Sequence, residues 1–303
     1  MESTPQNLWQ TKYATGCMED GNMAIHYHFP FSRHREAALL GCYNLAPKDR
    51  FPYYKALSAM VERNLHFAEY LAQNKTASIL TFENTYQKAT ENGVICVCCI
   101  PSEPVTPITQ SLFRADCNAM TALDVFLRLA HILRDIHNLP DSIALRYLDL
   151  DDVYLTASNK ILLGGFYYAT CKEMPDFQPF LPDAAKIIPN QVITGQRADA
   201  GTDMQTLAQI AWNIFSGLPW NCGHTEESRR IPPMYAPPAL LQVLELGLAG
   251  DPGQLNAFRK ALFQAKKNLA GTEFASATIP ISNPFQKEFH FAVDIPAKSP
   301  EIK

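Results

Sequence analysis

Three prolines within seven positions, Pro101, Pro104 and Pro107, constrain this chain more than any other feature. Proline fixes its own φ and lacks an N–H, so a cluster this dense interrupts both a helix and a central strand. Before the cluster the pattern is that of strands around one helix. Met23 to Phe29 (MAIHYHF) and Thr76 to Phe82 (TASILTF) are rich in β-formers, and Gly93 to Ile100 (GVICVCCI) is continuously apolar, as a buried strand would be. Between the first two, Tyr53 to Gln73 sets Tyr54, Leu57, Val61, Leu65, Ala68 and Leu71 on one helical face.

After the cluster, helices dominate. Thr121 with Asp124 reads as a capping box for a helix that buries Leu123, Phe126, Leu127, Ala130 and Leu133. Strand-like pieces follow at Val153 to Leu155 and Lys160 to Leu163. Thr202 with Gln205 reads as a second capping box, for a helix carrying Met204, Leu207, Ala208, Ala211, Ile214 and Phe215 and stopped at Gly217. Further helices are predicted over about 238–249 and 254–269, and the tail from about 272 reads as a linker or loosely docked arm. The expected class is α+β in two lobes: a small strand-rich lobe over 1–100, a helical lobe over 101–270, and a tail over 271–303.

Composition narrows the function. Hydrophobic residues are 47% and charged residues 18% of the chain, a globular balance. A net charge of -4 without a Lys/Arg run argues against nucleic acid as a partner. The N-terminal MESTPQNLWQ has no apolar signal core, and Gly93 to Ile100 is too short to span a bilayer, so a cytoplasmic protein without membrane association is expected. Of the eight cysteines, Cys96, Cys98 and Cys99 share one apolar run and the others are scattered, which fits buried reduced thiols better than zinc ligands.

The most informative stretch runs from Ala130 to Ala169: AHILRDIHNLPDSIALRYLDLDDVYLTASNKILLGGFYYA. It resembles the catalytic core of eukaryotic-type protein kinases, in which a helix ending in Leu-x-x-His leads to the H-R-D loop, a strand pair and D-F-G. On this resemblance His137 ends the helix. Leu145, Arg146 and Tyr147 fall on H-R-D, Asp149 on the catalytic-loop lysine, and Asp152 on the catalytic-loop asparagine. Gly165, Phe166 and Tyr167 fall on D-F-G. Downstream, IPNQVITGQRADAGTDMQTLAQIAWNIFSGLPW resembles the stretch from A-P-E, at Ile188, Pro189 and Asn190, into the buried central helix. Asp203 falls there on the aspartate that holds the catalytic loop by hydrogen bonds. In the small lobe only the element order and MAIH, similar to V-A-I-K, carry the likeness.

The resemblance implies a kinase fold whose chemistry is gone. Phosphoryl transfer needs a carboxylate at the acceptor hydroxyl, an aspartate for magnesium, a third-strand lysine and a glycine loop over the phosphates. Those places hold Tyr147, Gly165 and His26, and the glycine loop is reduced to Gly16 and Gly21 with Glu19 and Asp20 between them. The implied protein is a pseudokinase with no catalytic residue and no required cofactor, a scaffold or allosteric module for a protein partner. Ala24, His26, Cys99 and Asp152 would line a vestigial ATP cleft, with Asp152 the remaining candidate for a metal. Tyr167 and Tyr168 would crowd its phosphate end. Arg146, Asp203 and Phe166 would be structural, and Glu62 or Glu69 would be the long-helix glutamate or, without the third-strand lysine, a plain exposed helix charge. Cys171 to Ile193 contains no Ser, Thr or Tyr, so hydroxyl phosphorylation cannot switch that loop, and Phe177 and Phe180 within it are candidates for a partner site. The alternative is an atypical ATP-dependent phosphotransferase or nucleotidyltransferase using Asp149 and Asp152 with a metal.

Overall fold

A computed structural model describes residues 13–15, 23–32, 35–43, 62–74, 76, 78–89, 95–113, 117–172, 198–218 and 230–280. The fold is α+β. Its first part is an antiparallel sheet of strands β1 (Tyr13–Thr15), β2 (Met23–Ser32), β3 (Arg35–Tyr43), β4 (Phe82–Ala89) and β5 (Ile95–Pro101), in the spatial order β1-β2-β3-β5-β4. Helix α1, over 62–73, lies between β3 and β4 in the chain. Strand β3 (REAALLGCY) has no clean alternation, and sequence pattern alone misses it. It nevertheless pairs with β2 along nearly its whole length, from Met23 opposite Tyr43 to Ser32 opposite Arg35, with a bulge between Pro30 and Ser32.

The expected strand over Thr76 to Phe82 is displaced. Its end, Phe82, is where β4 begins, whereas the backbone at 78–80 pairs elsewhere. Leu80 N donates to Leu163 O at 2.8 Å, and Leu163 N donates to Ser78 O at 2.8 Å. The proline cluster also behaves differently from expectation. Pro101 still pairs with Phe82, and β6 (Val105–Pro107) pairs with β7 (Val153–Thr156), itself paired with β8 (Ile161–Leu163). Strand β6 is an edge of this second sheet, where a missing N–H need not break the ladder.

Helix α2 (Ile108–Ser111) leads to α3 (Ala119–His137), and α4 spans Ala200–Phe215. Both long helices start three residues before the predicted capping boxes. Asn118 caps α3, accepting from Thr121 N at 2.9 Å. Asp199 caps α4, accepting from Gly201 N and Thr202 N, while Thr202 Oγ1 accepts from Asp199 N at 2.8 Å. The threonines read as caps are thus the N3 residues of earlier Asn and Asp caps, which accept at least as well. Helix α4 ends at Gly217, whose φ of +73° suits glycine. Gly217 N donates to Ile214 O and Leu218 N to Asn213 O, the paired bonds of a Schellman turn.

The core lies where α3 and α4 meet α5 (Pro238–Leu248) and α6 (Leu255–Leu269). Phe126 of α3 and Phe215 of α4 stand 6.3 Å apart between ring centroids. Each such side chain contributes about 1.5–3 kcal/mol by leaving water. Helix α4 is buried on nearly every side, so its polar residues bond to one another, as Gln209 Nε2 does to Asn213 Oδ1 at 2.9 Å. The start of the tail belongs to this core. After the short helix α7 (Glu273–Ser276), Ile279 is fully buried and its N–H donates to Cys117 O at 2.8 Å, which corrects the expectation of a loose arm from residue 272. Among the described residues no helix is long and apolar enough to cross a membrane.

Candidate functional site

The loop between α3 and β7 and the segment after β8 meet in front of α4. Asp203, in the first turn of α4 and 2% exposed, anchors the loop. Its carboxylate accepts from Leu145 N at 2.7 Å, from Arg146 N at 3.0 Å, and lies 3.0 Å from His137 Nε2. Hydrogen bonds to a buried carboxylate are among the stronger ones in proteins. They hold Arg146 at a φ of +62°, a conformation a side chain with a Cβ resists. The two strands of this junction are also tied directly, by reciprocal bonds between the backbones of Ala144 and Thr170 at 2.8–2.9 Å.

Past the anchor, the side chains fill the space in front of the loop. Tyr147 Oη donates to Asp149 Oδ2 at 2.7 Å, and the Tyr147 ring meets Tyr168 edge to face at 5.5 Å. Burial, and then the neighbouring Asp149 and Asp152, push the Tyr147 phenol well above the ordinary tyrosine range. The Tyr168 phenol is raised by burial and Asp152 and partly offset by Arg146. Both are therefore neutral donors at pH 7. Asp149 and Asp152 are 5% and 3% exposed.

Gly165 explains how Asp152 fits. Its φ is +76°, and a Cβ built on it would lie 2.5 Å from both Cγ and Oδ2 of Asp152. The Asp152 carboxyl thus occupies the volume that any side chain at 165 would need. Next along the chain, Phe166, Tyr167 and Tyr168 form a buried 3₁₀ turn. Phe166 N donates to Asn64 Oδ1 at 2.9 Å, and Arg63 Nη1 donates to Ala169 O at 2.7 Å. Helix α1 thereby grips the backbone on both sides of the tyrosines.

Asn64 and Arg63 escape a reading based on apolar periodicity. The predicted face of this helix runs through Leu65, Ala68 and Leu71, whereas the buried face is Arg63, Asn64, Phe67, Ala68 and Leu71, with Leu65 only half-buried. A polar side chain enters such a face when backbone groups across the interface satisfy it. The only signal was an Asn beside an otherwise apolar stripe. Glu62 and Glu69 are both exposed, so neither points into the junction as the expected long-helix glutamate would.

The strand assignment of His26 is also corrected. His26 lies on β2, opposite Leu40, and the third strand of the sheet is β3, which carries no lysine. The likeness of MAIH to V-A-I-K placed it one strand late, because β3 went unread. Ala24 pairs with Cys42 on the same strands, and Cys99 of β5 pairs with Ala38 and Thr85. The stretch with Gly16 and Gly21 connects β1 to β2 and lies outside the described residues, as do Phe177, Phe180 and Ile188 to Asn190. Among the described residues no group of three or more His, Cys, Asp or Glu side chains converges as metal ligands. No protein-family model matches this chain, and a search of the curated proteins finds no match.

Proposed function

We propose that this chain is a degenerate member of the two-lobed protein kinase-like fold, a pseudokinase that serves as a binding scaffold or allosteric module. The observation that carries the reading is the pairing of Asp152 with Gly165. In a working kinase those two positions hold the magnesium ions. Here Gly165 offers no ligand, and the Asp152 carboxyl fills the space a side chain there would need. This donor set does not fit a magnesium–triphosphate.

Supporting features point the same way. Asp203 accepts from the loop N–H groups of Leu145 and Arg146, which supports reading it as the loop-holding aspartate of the resemblance. The position of the catalytic carboxylate is a phenol that donates to Asp149 rather than accepting a proton from substrate. Loss of a general base alone costs about 10²–10⁴ in rate, and loss of the metal removes the main electrostatic stabilisation of the transferring group. The alternative use of Asp149 and Asp152 as metal ligands would require Asp149 Oδ2 to give up the Tyr147 hydroxyl.

Thermal unfolding of the full chain with ATP, with and without magnesium or manganese, tests this reading. A ligand present at 100 times its dissociation constant adds about 2.7 kcal/mol, which is several degrees for a chain of this size. No metal-dependent rise is expected. A metal-dependent rise, or transfer of label from ATP that disappears in Asp152→Ala, would replace the pseudokinase reading with the atypical transferase.

A further inference from the structure

Away from the loop junction, a groove of about 200 Å³ opens between α3 and β8, lined by Arg128, His131, Ile132, Asp135, Lys160 and Ile161 among others. Its volume is many times the ~10–15 Å³ that one water needs. Ile132 and Ile161 are buried residues that form an apolar floor. Its rim is cationic although the chain as a whole carries a net charge of -4.

The charges around the groove do not cancel. Asp124 is engaged by Arg128 at 2.8 Å and by Lys266, and Asp135 is engaged by its neighbour Arg134. Lys160 is exposed and, among the described residues, has no acid within ion-pair distance. Arg259 of α6 has its Nε buried without a hydrogen-bond partner. Its charge and that of Arg134, after burial itself, hold the His131 imidazole below the ordinary histidine range, with Asp135 opposing them. Asp124 serves two cations and Asp135 one, so with Lys160 the groove's surroundings hold more cations than acids over an apolar floor. Arg128 further ties the groove's walls together, through Nη1 to Asn159 O at 2.9 Å across the β7–β8 turn.

We propose that this groove docks an acidic peptide segment, with one carboxylate meeting Lys160, another sharing Arg128 with Asp124, and an aliphatic side chain between them seated over Ile132 and Ile161. A small anion alone would leave the isoleucine floor wet, and an apolar peptide would leave Lys160 without an acid. The proposal stands apart from the pseudokinase reading, because none of these residues belongs to the loop junction.

Fluorescence anisotropy of the full chain tests it with a labelled Glu-Leu-Asp-Leu-Glu peptide, its Gln-Leu-Asn-Leu-Gln counterpart, and inorganic phosphate as competitor. The acidic peptide is expected to bind with an affinity that falls as salt rises. The amide peptide is expected to bind at least about tenfold more weakly, and Lys160→Glu to weaken the acidic peptide by about 5- to 10-fold, as reversal of a rim charge does. Lys160 is exposed, so the melting temperature of that variant should be unchanged. The idea is overturned if the acidic peptide fails to bind, if both peptides bind alike, or if Lys160→Glu leaves the affinity unchanged. Phosphate displacing the peptide with equal or better affinity would also overturn it, since the groove would then be a small-anion site.

Discussion

Replacing Gly165 with alanine is the sharpest probe of the loop junction. Two costs follow from the geometry. The residue sits at φ +76°, where a Cβ costs about 1–2 kcal/mol. The new Cβ would also lie 2.5 Å from Asp152 Cγ and Oδ2 and 2.6 Å from Asp152 Cβ, well inside contact distance. Overpacking of this kind costs about 1–3 kcal/mol. Together the loss is about 2–5 kcal/mol, a large part of the ~5–15 kcal/mol that holds most domains folded. At ~2–4 °C per kcal/mol, the melting temperature should fall by about 4–20 °C. Calorimetry of Gly165→Ala, Asp152→Gly and the double variant separates the terms. Removing the Asp152 side chain should relieve the steric part, giving a coupling of about 1–3 kcal/mol and leaving only the backbone cost. A melting temperature within about a degree of the unsubstituted chain, or strictly additive variants, would refute the claim that Asp152 occupies the side-chain space of residue 165. The same geometry means that Gly165→Asp, which restores the kinase letter, is not expected to restore metal-dependent ATP binding.

Two further outcomes follow from the anchor and the tyrosines. Asp203→Ala leaves the buried N–H groups of Leu145 and Arg146 without an acceptor, at ~1–3 kcal/mol each, so its urea midpoint should drop by about 2–6 kcal/mol in stability terms; Asp203→Asn, which keeps one acceptor oxygen, should lose less. Because the Tyr147 and Tyr168 phenols are raised above the ordinary value of 10.0, their contribution is fully present below pH 10 and is lost as pH climbs beyond it, since the unfolded chain releases those protons first. Urea unfolding followed from about pH 8 to above 10 should show this fall, and Tyr147→Phe should flatten it; an equal slope in the variant would refute the assignment.

Much of the helical part was legible from sequence, because its signals are local. The spacing of apolar residues marks α3 and α4, the pair of short strands marks β7 and β8, and Gly217 marks a helix stop that the Schellman bonds account for. The caps were misread by one turn for a local reason too, since threonine at N3 and threonine at the cap look alike until the earlier Asn118 or Asp199 is weighed. What stayed hidden depends on partners far along the chain. Strand β3 is a strand because β2 and β5 flank it, whatever REAALLGCY suggests alone. Asn64 faces inward because the Phe166 N–H, 102 positions away, needs an acceptor. No pattern around Arg128 announces that Lys160 will stand beside it across a groove.

The junction is over-determined, and that bears on whether it can switch. Its backbone is held from behind by Asp203, and from the side by Asn64 and Arg63, while Tyr147, Tyr168 and Asp152 close it from the front. A ligand shifts a conformational equilibrium only by binding one arrangement better than another. With the Phe166 N–H and the Ala169 carbonyl already matched and the volume at Gly165 already taken, a second arrangement would have to break several buried bonds at once. Strand β8 joins this junction to the groove, since Ile161 lies on the groove floor and Leu163 directly precedes the glycines. Coupling between them would need β8 to have two stable positions, yet the reciprocal bonds of Leu163 with Ser78 and Leu80 pin its end. The groove is therefore expected to act as a preformed surface, binding by complementarity of charge and shape, with the loop junction as its rigid support rather than its switch.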